Sequence, residues 1–524
     1  MMCSLNQHQS TSAKRLQIRF CLMLISHFWY CMHGIIKMKR PGNRYLKCWI
    51  PFRQKIMQSP GYGKNWASEW IQVLIVKADW NYTRCIVLIK NVYLVVLDFL
   101  SYVMHLFLLL LSSFLLGLIC FVSYRQIAVD MRKSFLFLIS YRFVFFCIQS
   151  ILFYTVYQNQ LDAVFYHTAL VELFQDFKTH PSDLLIFLQG NYSDLHVSSW
   201  LQAYLSEEVR VAFFLKILSP FFLLSAADYY LLGAWLTLFG TLCFMPFLRL
   251  VRNEKTFTIW LLVLCVPSFT IWTVGVLKEA FVIPVLFFLY YLLHHIIQSK
   301  GKNVLYIVFF IGFILLVWYI KYYLVAVFLL VCFIYCAGTF IKINSTSILI
   351  TAIVFVLLVI GLGHLHPALQ WNVLPEVIYI SYTLTCTKFV DAYACIPFDL
   401  DMSWNSIILN YPKAMLYAFF SPFPWQIHNV TSLVAALESY LFVGLFCMLL
   451  YNVAAKKITI SKIEILTLVF VLFAGALLIL ASPNIGSFSR YRIFYLPFYV
   501  YILLKYSGIG YTILYLRFKN RIEK

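Results

Sequence analysis

Along the chain the apolar positions neither alternate nor mark one face of a helix. They run uninterrupted for about 20 residues at a time. Wound as α-helix at about 1.5 Å per residue, such runs match the hydrocarbon core of a bilayer, about 30 Å thick. They cover residues 91–123, 134–157, 228–248, 257–277, 280–297, 304–321, 323–338, 346–362, 430–451, 464–482 and 493–512. The pattern predicts an all-α, polytopic integral membrane protein with about eleven transmembrane helices. Pro220, Pro246, Pro267, Pro284 and Pro497 lie in or beside these runs, so tilted or interrupted helices are expected. Two connections are long, 158–227 and 363–429. The chain thus divides into a leader (1–90), a membrane domain (91–512) and a short tail (513–524).

Composition agrees: 62% of residues are hydrophobic and 12% charged, against roughly 25% charged in soluble domains. An ordinary soluble enzyme is excluded. The net charge of +20 is unevenly placed, because the leader holds fourteen Lys and Arg against Glu69 and Asp79 and so carries +12 of it. Two readings of the leader stand: a disordered basic tail on the membrane surface, or a start codon assigned too far upstream, with Met104 as the alternative start.

Elsewhere the positive charge orients the spans, since Lys and Arg near span ends stay cytoplasmic. The connections with Arg125, Arg132 and Lys133, with Arg249, Arg252 and Lys255, with Lys300 and Lys302, with Lys342, and with Lys456, Lys457 and Lys462 are basic, as is the tail. Every second connection is then cytoplasmic, and both long connections fall outside, where acids outnumber bases. The apolar stretch 209–227 would invert this order as a further span, so it is read as an interfacial or re-entrant helix. This distribution implies a multi-pass protein of the cell (inner) membrane, with membrane lipids as surroundings and no nucleic-acid partner.

Four places carry candidate chemistry. Asp162 opens a helix at the outer face, followed by Tyr166 and His167; an acidic helix start also complements the helix dipole. Pro267-Ser268 precedes Lys278-Glu279 at a tight outer turn, where a cation would meet a lipid phosphate or simply solvate the turn. Asn484-x-Gly486 leads to Arg490-Tyr491-Arg492, two guanidiniums suited to bidentate phosphate binding or to the membrane rim. Trp425 and His428 end the second long connection as a sugar-stacking platform or an interfacial anchor. Cys386 and Cys395 share that connection, so a disulfide is open to them. Asn81, Asn191, Asn344 and Asn429 head Asn-x-Ser/Thr triplets, a weak pattern to which nothing is assigned. Arg142, Gln149 and Glu438 are polar groups inside apolar runs without an evident role. No phosphate-binding Gly-rich loop, His-Glu-x-x-His or Cys-x-x-Cys occurs, which disfavours an ATP-driven pump.

Asp162-x-x-x-Tyr166, Pro267-Ser268 with Lys278-Glu279, and Asn484-x-Gly486 with Arg490-Tyr491-Arg492 together resemble bacterial multi-pass glycosyltransferases of the GT-C superfamily, the family 39-like and lipid-A-sugar transferase-like enzymes. The resemblance covers roughly residues 100–512, and O-antigen polymerases share much of it. It departs at Ala163, where the superfamily pattern often has a second acid. It implies transfer of a sugar from a polyprenyl-phosphate carrier to a lipid-linked or protein acceptor on the outer face. Asp162 would be the base, Lys278 a cation oriented by Glu279, and Arg490 and Arg492 the lipid-phosphate ligands. Tyr166, Trp425 and His428 would line the sugar site. No metal ligands are assigned, and a divalent metal is left open. Two rivals remain: a polysaccharide-repeat polymerase with the same membrane plan, and a transporter or flippase, which predicts broken helices and midplane polar groups.

Overall fold

The computed structural model describes residues 103–155, 162–340, 363–388, 395–428, 430–455 and 462–508, with isolated positions at 357, 360, 361, 458 and 460. The basic leader 1–90, most of the run 346–362, Asn81, Asn344, Asn429 and the tail 513–524 lie outside the described residues. Among the described residues every regular element is helical, and one isolated antiparallel bridge pairs Cys395 with Asn484.

In chain order the helices are α1 (Val103–Gln126), α2 (Arg132–Thr155), α3 (Asp162–Thr179), α4 (Asp183–Gln189), α5 (Ser199–Glu207), α6 (Val209–Leu224), α7 (Tyr229–Leu250), α8 (Glu254–Leu264) and α9 (Pro267–Trp272). There follow α10 (Lys278–Gln298), α11 (Val304–Phe340), α12 (Leu374–Lys388), α13 (Trp404–Phe420), α14 (Val430–Ala454), α15 (Lys462–Ala481), α16 (Ile485–Arg492) and α17 (Leu496–Tyr506). Six stretches are long and apolar enough to cross a membrane: α1, Val129–Phe153, α7, α10, Val304–Leu330 and Ser432–Ala454.

α7 and α10 are the most enclosed of these. Their apolar sequences pack through Phe239 on Phe281 and through Phe287 between Phe244 and Phe247, at ring separations of 4.8–5.1 Å. α2 reaches α7 over a seam of small residues. A Cβ at Gly233 would lie 2.3 Å from the Phe146 ring, and one at Gly240 would lie 3.1 Å from the Arg142 guanidinium. Small residues permit this approach, the usual basis of helix association in lipid.

A run read as one span is interrupted. The run 257–277 comprises α8, a break at Cys265–Val266, the six-residue α9, and an extended turn to Lys278. Its freed carbonyls find donors on α2: Tyr141 Oη donates to Cys265 O (2.5 Å), and Gln149 Nε2 donates to Ile271 O (2.5 Å) and Val274 O (3.2 Å). Arg142 donates to Thr273 O (2.5 Å), Thr273 Oγ1 (3.1 Å) and Thr241 Oγ1 (3.1 Å), and it lies over the Phe244 ring. With no water in the bilayer core, an interrupted helix persists only where protein donors replace the lost ladder. Arg142 and Gln149, unexplained in the sequence, supply them.

The runs 304–321 and 323–338 are two helical stretches, together labelled α11, that meet at a kink at Lys321 (φ −150°, ψ 77°). The 37 residues of α11 would span about 55 Å if straight, well beyond a hydrocarbon core of about 30 Å. The stretch 209–227 forms α6 and a turn with Ala226 and Ala227 at positive φ, after which Asp228 caps α7 by accepting from Leu231 N–H (2.8 Å). Cys386 and Cys395 are disulfide-bonded, and Ile396 N–H donates to Pro483 O (3.1 Å) beside the Cys395–Asn484 bridge. The second long connection is thereby fixed to the start of α16.

Gly275 makes the turn after α9 at φ +70°, with its Hα side facing Gln149 Oε1. A Cβ there would stand 2.1 Å from that oxygen. Gly275→Ala is expected to lower stability by about 2 kcal/mol or more, from left-handed strain plus overpacking. Thermal unfolding of the detergent-solubilised protein measures this, and an unchanged Tm would contradict the account of the turn.

Candidate functional site

Four distant parts of the chain bring charge to one place. Asp162 begins α3, where a carboxylate complements the dipole. Lys278 and Glu279 form the first turn of α10, Lys321 occupies the break in α11, and Arg490 sits in the last turn of α16. Arg490 Nη1 donates to Asp162 Oδ2 (2.6 Å), while its Nε lies 2.7 Å from Glu279 Oε1. The Lys321 ammonium pairs with the same Glu279 oxygen. Lys278 Nζ lies 5.5 Å over the Tyr166 ring, and Lys321 Nζ lies 5.3 Å over the Tyr491 ring. Asp162, Tyr166, Lys278, Glu279 and Arg490 are therefore gathered into one cluster.

Exposure within the cluster is graded: the Glu279 side chain is 2% exposed, Arg490 18% and Asp162 48%. Glu279 is the buried anchor and Asp162 the open end. Three cations face two carboxylates, a surplus of one positive charge. Glu279 Oε2 is buried and takes no hydrogen bond among the described residues. Burial pushes the Tyr166 phenol well above its ordinary range, so it remains a neutral hydroxyl at any physiological pH. Such an arrangement attracts an anion to its open side and holds one carboxylate within reach of it.

The segment 484–492 is helical. Asn484 caps it by accepting from Ser487 N–H (3.1 Å), which accounts for an Asn at the head of that motif. Residues two apart on a helix do not face the same way, and the two arginines diverge accordingly. Arg492 is buried in a second group, donating to Glu438 Oε1 (3.0 Å) and Ser439 Oγ (3.1 Å) beside the Phe442 ring. Glu438 in turn accepts from Ser268 N–H (2.9 Å) and from the Ser268 hydroxyl, at the N-terminus of α9. Arg490 and Arg492 do not form one phosphate clamp here.

Trp425 lies 67% exposed in the turn Pro424–Gln426, stacked on Phe423 at 4.8 Å. The His428 backbone N–H donates to Ser432 Oγ (3.0 Å). In the same connection the exposed Trp371 stacks on Trp404 at 4.0 Å, an aromatic pair that sequence reasoning passed over. Lys321 was also missed as a site residue, although it stands alone between apolar runs, where a charge needs a partner. Among known proteins, no family model, no curated sequence and no solved structure matches the chain.

Glu438 and Arg492 are both nearly excluded from solvent, and each is the other's charge partner. Removing one leaves the other buried and uncompensated, at a cost of about 3 kcal/mol or more. Glu438→Gln is expected to lower the Tm sharply, and the double variant Glu438→Gln/Arg492→Met to recover part of the loss. A double-mutant cycle showing no coupling would count against the pairing.

Proposed function

We propose that the chain is a membrane glycosyltransferase that moves a sugar from a polyprenyl-phosphate carrier to a lipid-linked or protein acceptor at the outer face of the cell membrane. The observation that carries this reading is the convergence of Asp162, Lys278, Glu279 and Arg490 on one cluster with a surplus cation. The reading takes the eleven-crossing topology, which puts both long connections and the start of α10 on the same outer side.

In this reaction the acceptor hydroxyl oxygen attacks the anomeric carbon while Asp162 takes its proton. The bond from that carbon to the carrier phosphate breaks, and the phosphate leaves with both electrons. Arg490 and Lys278 stabilise the growing negative charge, and Lys321 and Glu279 keep Arg490 in place. A carrier phosphate competes with Asp162 for Arg490. Its arrival would free the carboxylate to act as base, so substrate binding and activation of the base are linked. Arg492 acts as a positioning residue, holding α16 to α14. Trp425 and His428, together with Trp371 and Trp404, offer surfaces for the sugar or the headgroup region.

One observation favours a transporter instead: the interrupted run 257–277 with polar groups beside it. Yet Arg142 is fully buried and its hydrogen bonds go to this chain's own groups, which suits a structural role better than a passage for solute.

The test is transfer in vitro from a panel of polyprenyl-phosphate sugars by the purified protein in lipid. Asp162→Asn is expected to reduce transfer at least about 100-fold while insertion and Tm are kept. Retained transfer in that variant would sink the assignment of the base. Absence of transfer by the wild-type chain from every donor, with solute or lipid translocation detected, would favour the transporter.

A further inference from the structure

A second group of chemically active side chains lies in the first long connection and takes no part in the cluster above. Asp176 and His180 stand one turn apart at the end of α3, Asp183 opens α4, and His196 lies in the stretch before α5. One ligand atom from each of the four lies within 4.8 Å of the others. His180 Nδ1 is 2.9 Å from Asp176 Oδ1, His196 Nδ1 is 2.7 Å from Asp183 Oδ2, and the two imidazoles stack at 4.2 Å. Both carboxyls are buried, whereas both rings are about half exposed. The geometry points to a divalent transition-metal site, of the zinc class, formed by Asp176, His180, Asp183 and His196.

Three features go beyond the grouping itself. Asp176 has a side chain only 5% exposed, and its Oδ2 is buried and accepts no hydrogen bond among the described residues. With both imidazoles neutral, as metal ligands must be, the two carboxylates would carry a charge of −2 that a divalent ion cancels. The donor set selects the ion. Two nitrogens and two carboxylate oxygens suit four-coordinate zinc, while calcium and magnesium prefer all-oxygen shells. Tetrahedral ligands about 2.0–2.1 Å from zinc stand about 3.3 Å apart, so the two His–Asp pairs at 2.7–2.9 Å would open and the longer separations, up to 4.8 Å, would close.

The supporting frame is in place without the metal. Asp183 Oδ2 also accepts from His196 N–H (3.0 Å), and Glu172 Oε1 accepts from Ser198 N–H (2.7 Å), which fixes the strand of chain carrying His196 against α3. Asp183 N–H donates to His180 O (3.0 Å) across the turn between α3 and α4. An ion here would join three consecutive parts of the outer segment. α3 also carries Asp162, fourteen residues and about 21 Å from Asp176 along the helix. The site is therefore a structural one, remote from the candidate chemistry.

The experiment uses the untagged full-length protein in detergent, stripped with a chelator and reloaded with Zn2+ or Co2+. One equivalent of zinc per chain is expected, with a rise in Tm and, for cobalt, the visible absorption of a tetrahedral centre. His180→Ala and His196→Ala remove exposed rings without emptying a core. Each is expected to weaken zinc binding at least about 100-fold and to abolish the zinc-dependent rise in Tm while the chain stays folded. No stoichiometric zinc in the folded wild-type protein, or the same zinc content and Tm response in the His180→Ala/His196→Ala double variant, would overturn the site. In the first of those cases the four residues are simply two His–Asp pairs.

Discussion

The six residues of α9 are a helix with no length of its own to stabilise it, set between a break and a turn inside an apolar environment. Both of its ends are covered from elsewhere in the chain by charges of the appropriate sign. Glu438 accepts from the N-terminal Ser268 N–H, and Arg142 donates to the carbonyl of Thr273 just past the C-terminus. Gln149 donates to the carbonyls of Ile271 and Val274. Without these trans caps the interruption would leave bare peptide groups in lipid, each worth several kcal/mol. The rest of the arrangement follows from it, because the end of α9 and the turn at Gly275 decide where α10 begins.

That starting point gives Lys278 and Glu279 their position. Glu438 then does a second task by pairing with Arg492, and this pair fixes the rotation of α16 about its axis. With Arg492 turned toward α14, Arg490 is turned the other way, toward Glu279 and Asp162. The two buried groups are thus coupled through a single short helix. One is closed, with its charges matched inside the protein. The other ends in a half-exposed carboxylate and has a cation to spare, so it is the one able to receive a ligand.

Much of this was legible in the sequence. The apolar runs located the helices long enough to cross a membrane, and Asp162, Lys278, Glu279 and Arg490 were picked out because charge at a span end needs a reason. Pro267, flagged beside run 257–277, does mark its interruption, since it opens α9. What the sequence hid were the partners that permit the break, Tyr141, Arg142 and Gln149, more than a hundred residues away. The boundary read between runs 304–321 and 323–338 coincides with the non-helical Lys321; what the sequence did not show is that its ammonium is drawn to Glu279. The pair Arg490 and Arg492 was read as a fork because spacing alone does not say that the segment is helical; once Asn484 caps a helix, a spacing of two separates them. Asp176 and Asp183 of the first long connection were counted only as acidity, and His180 and His196 were passed over, since their spacing matches no short metal motif.

The disulfide between Cys386 and Cys395 reaches the charged cluster indirectly. Cys395 pairs directly with Asn484, the residue that caps α16, so the oxidised crosslink braces the start of the helix that presents Arg490. Oxidised or reduced, the chain carries the same charged residues; what changes is whether the segment facing Asn484 is tied covalently or only by backbone pairing. The steadiness of the arginine is thereby made to depend on the oxidation state of two thiols that never touch it.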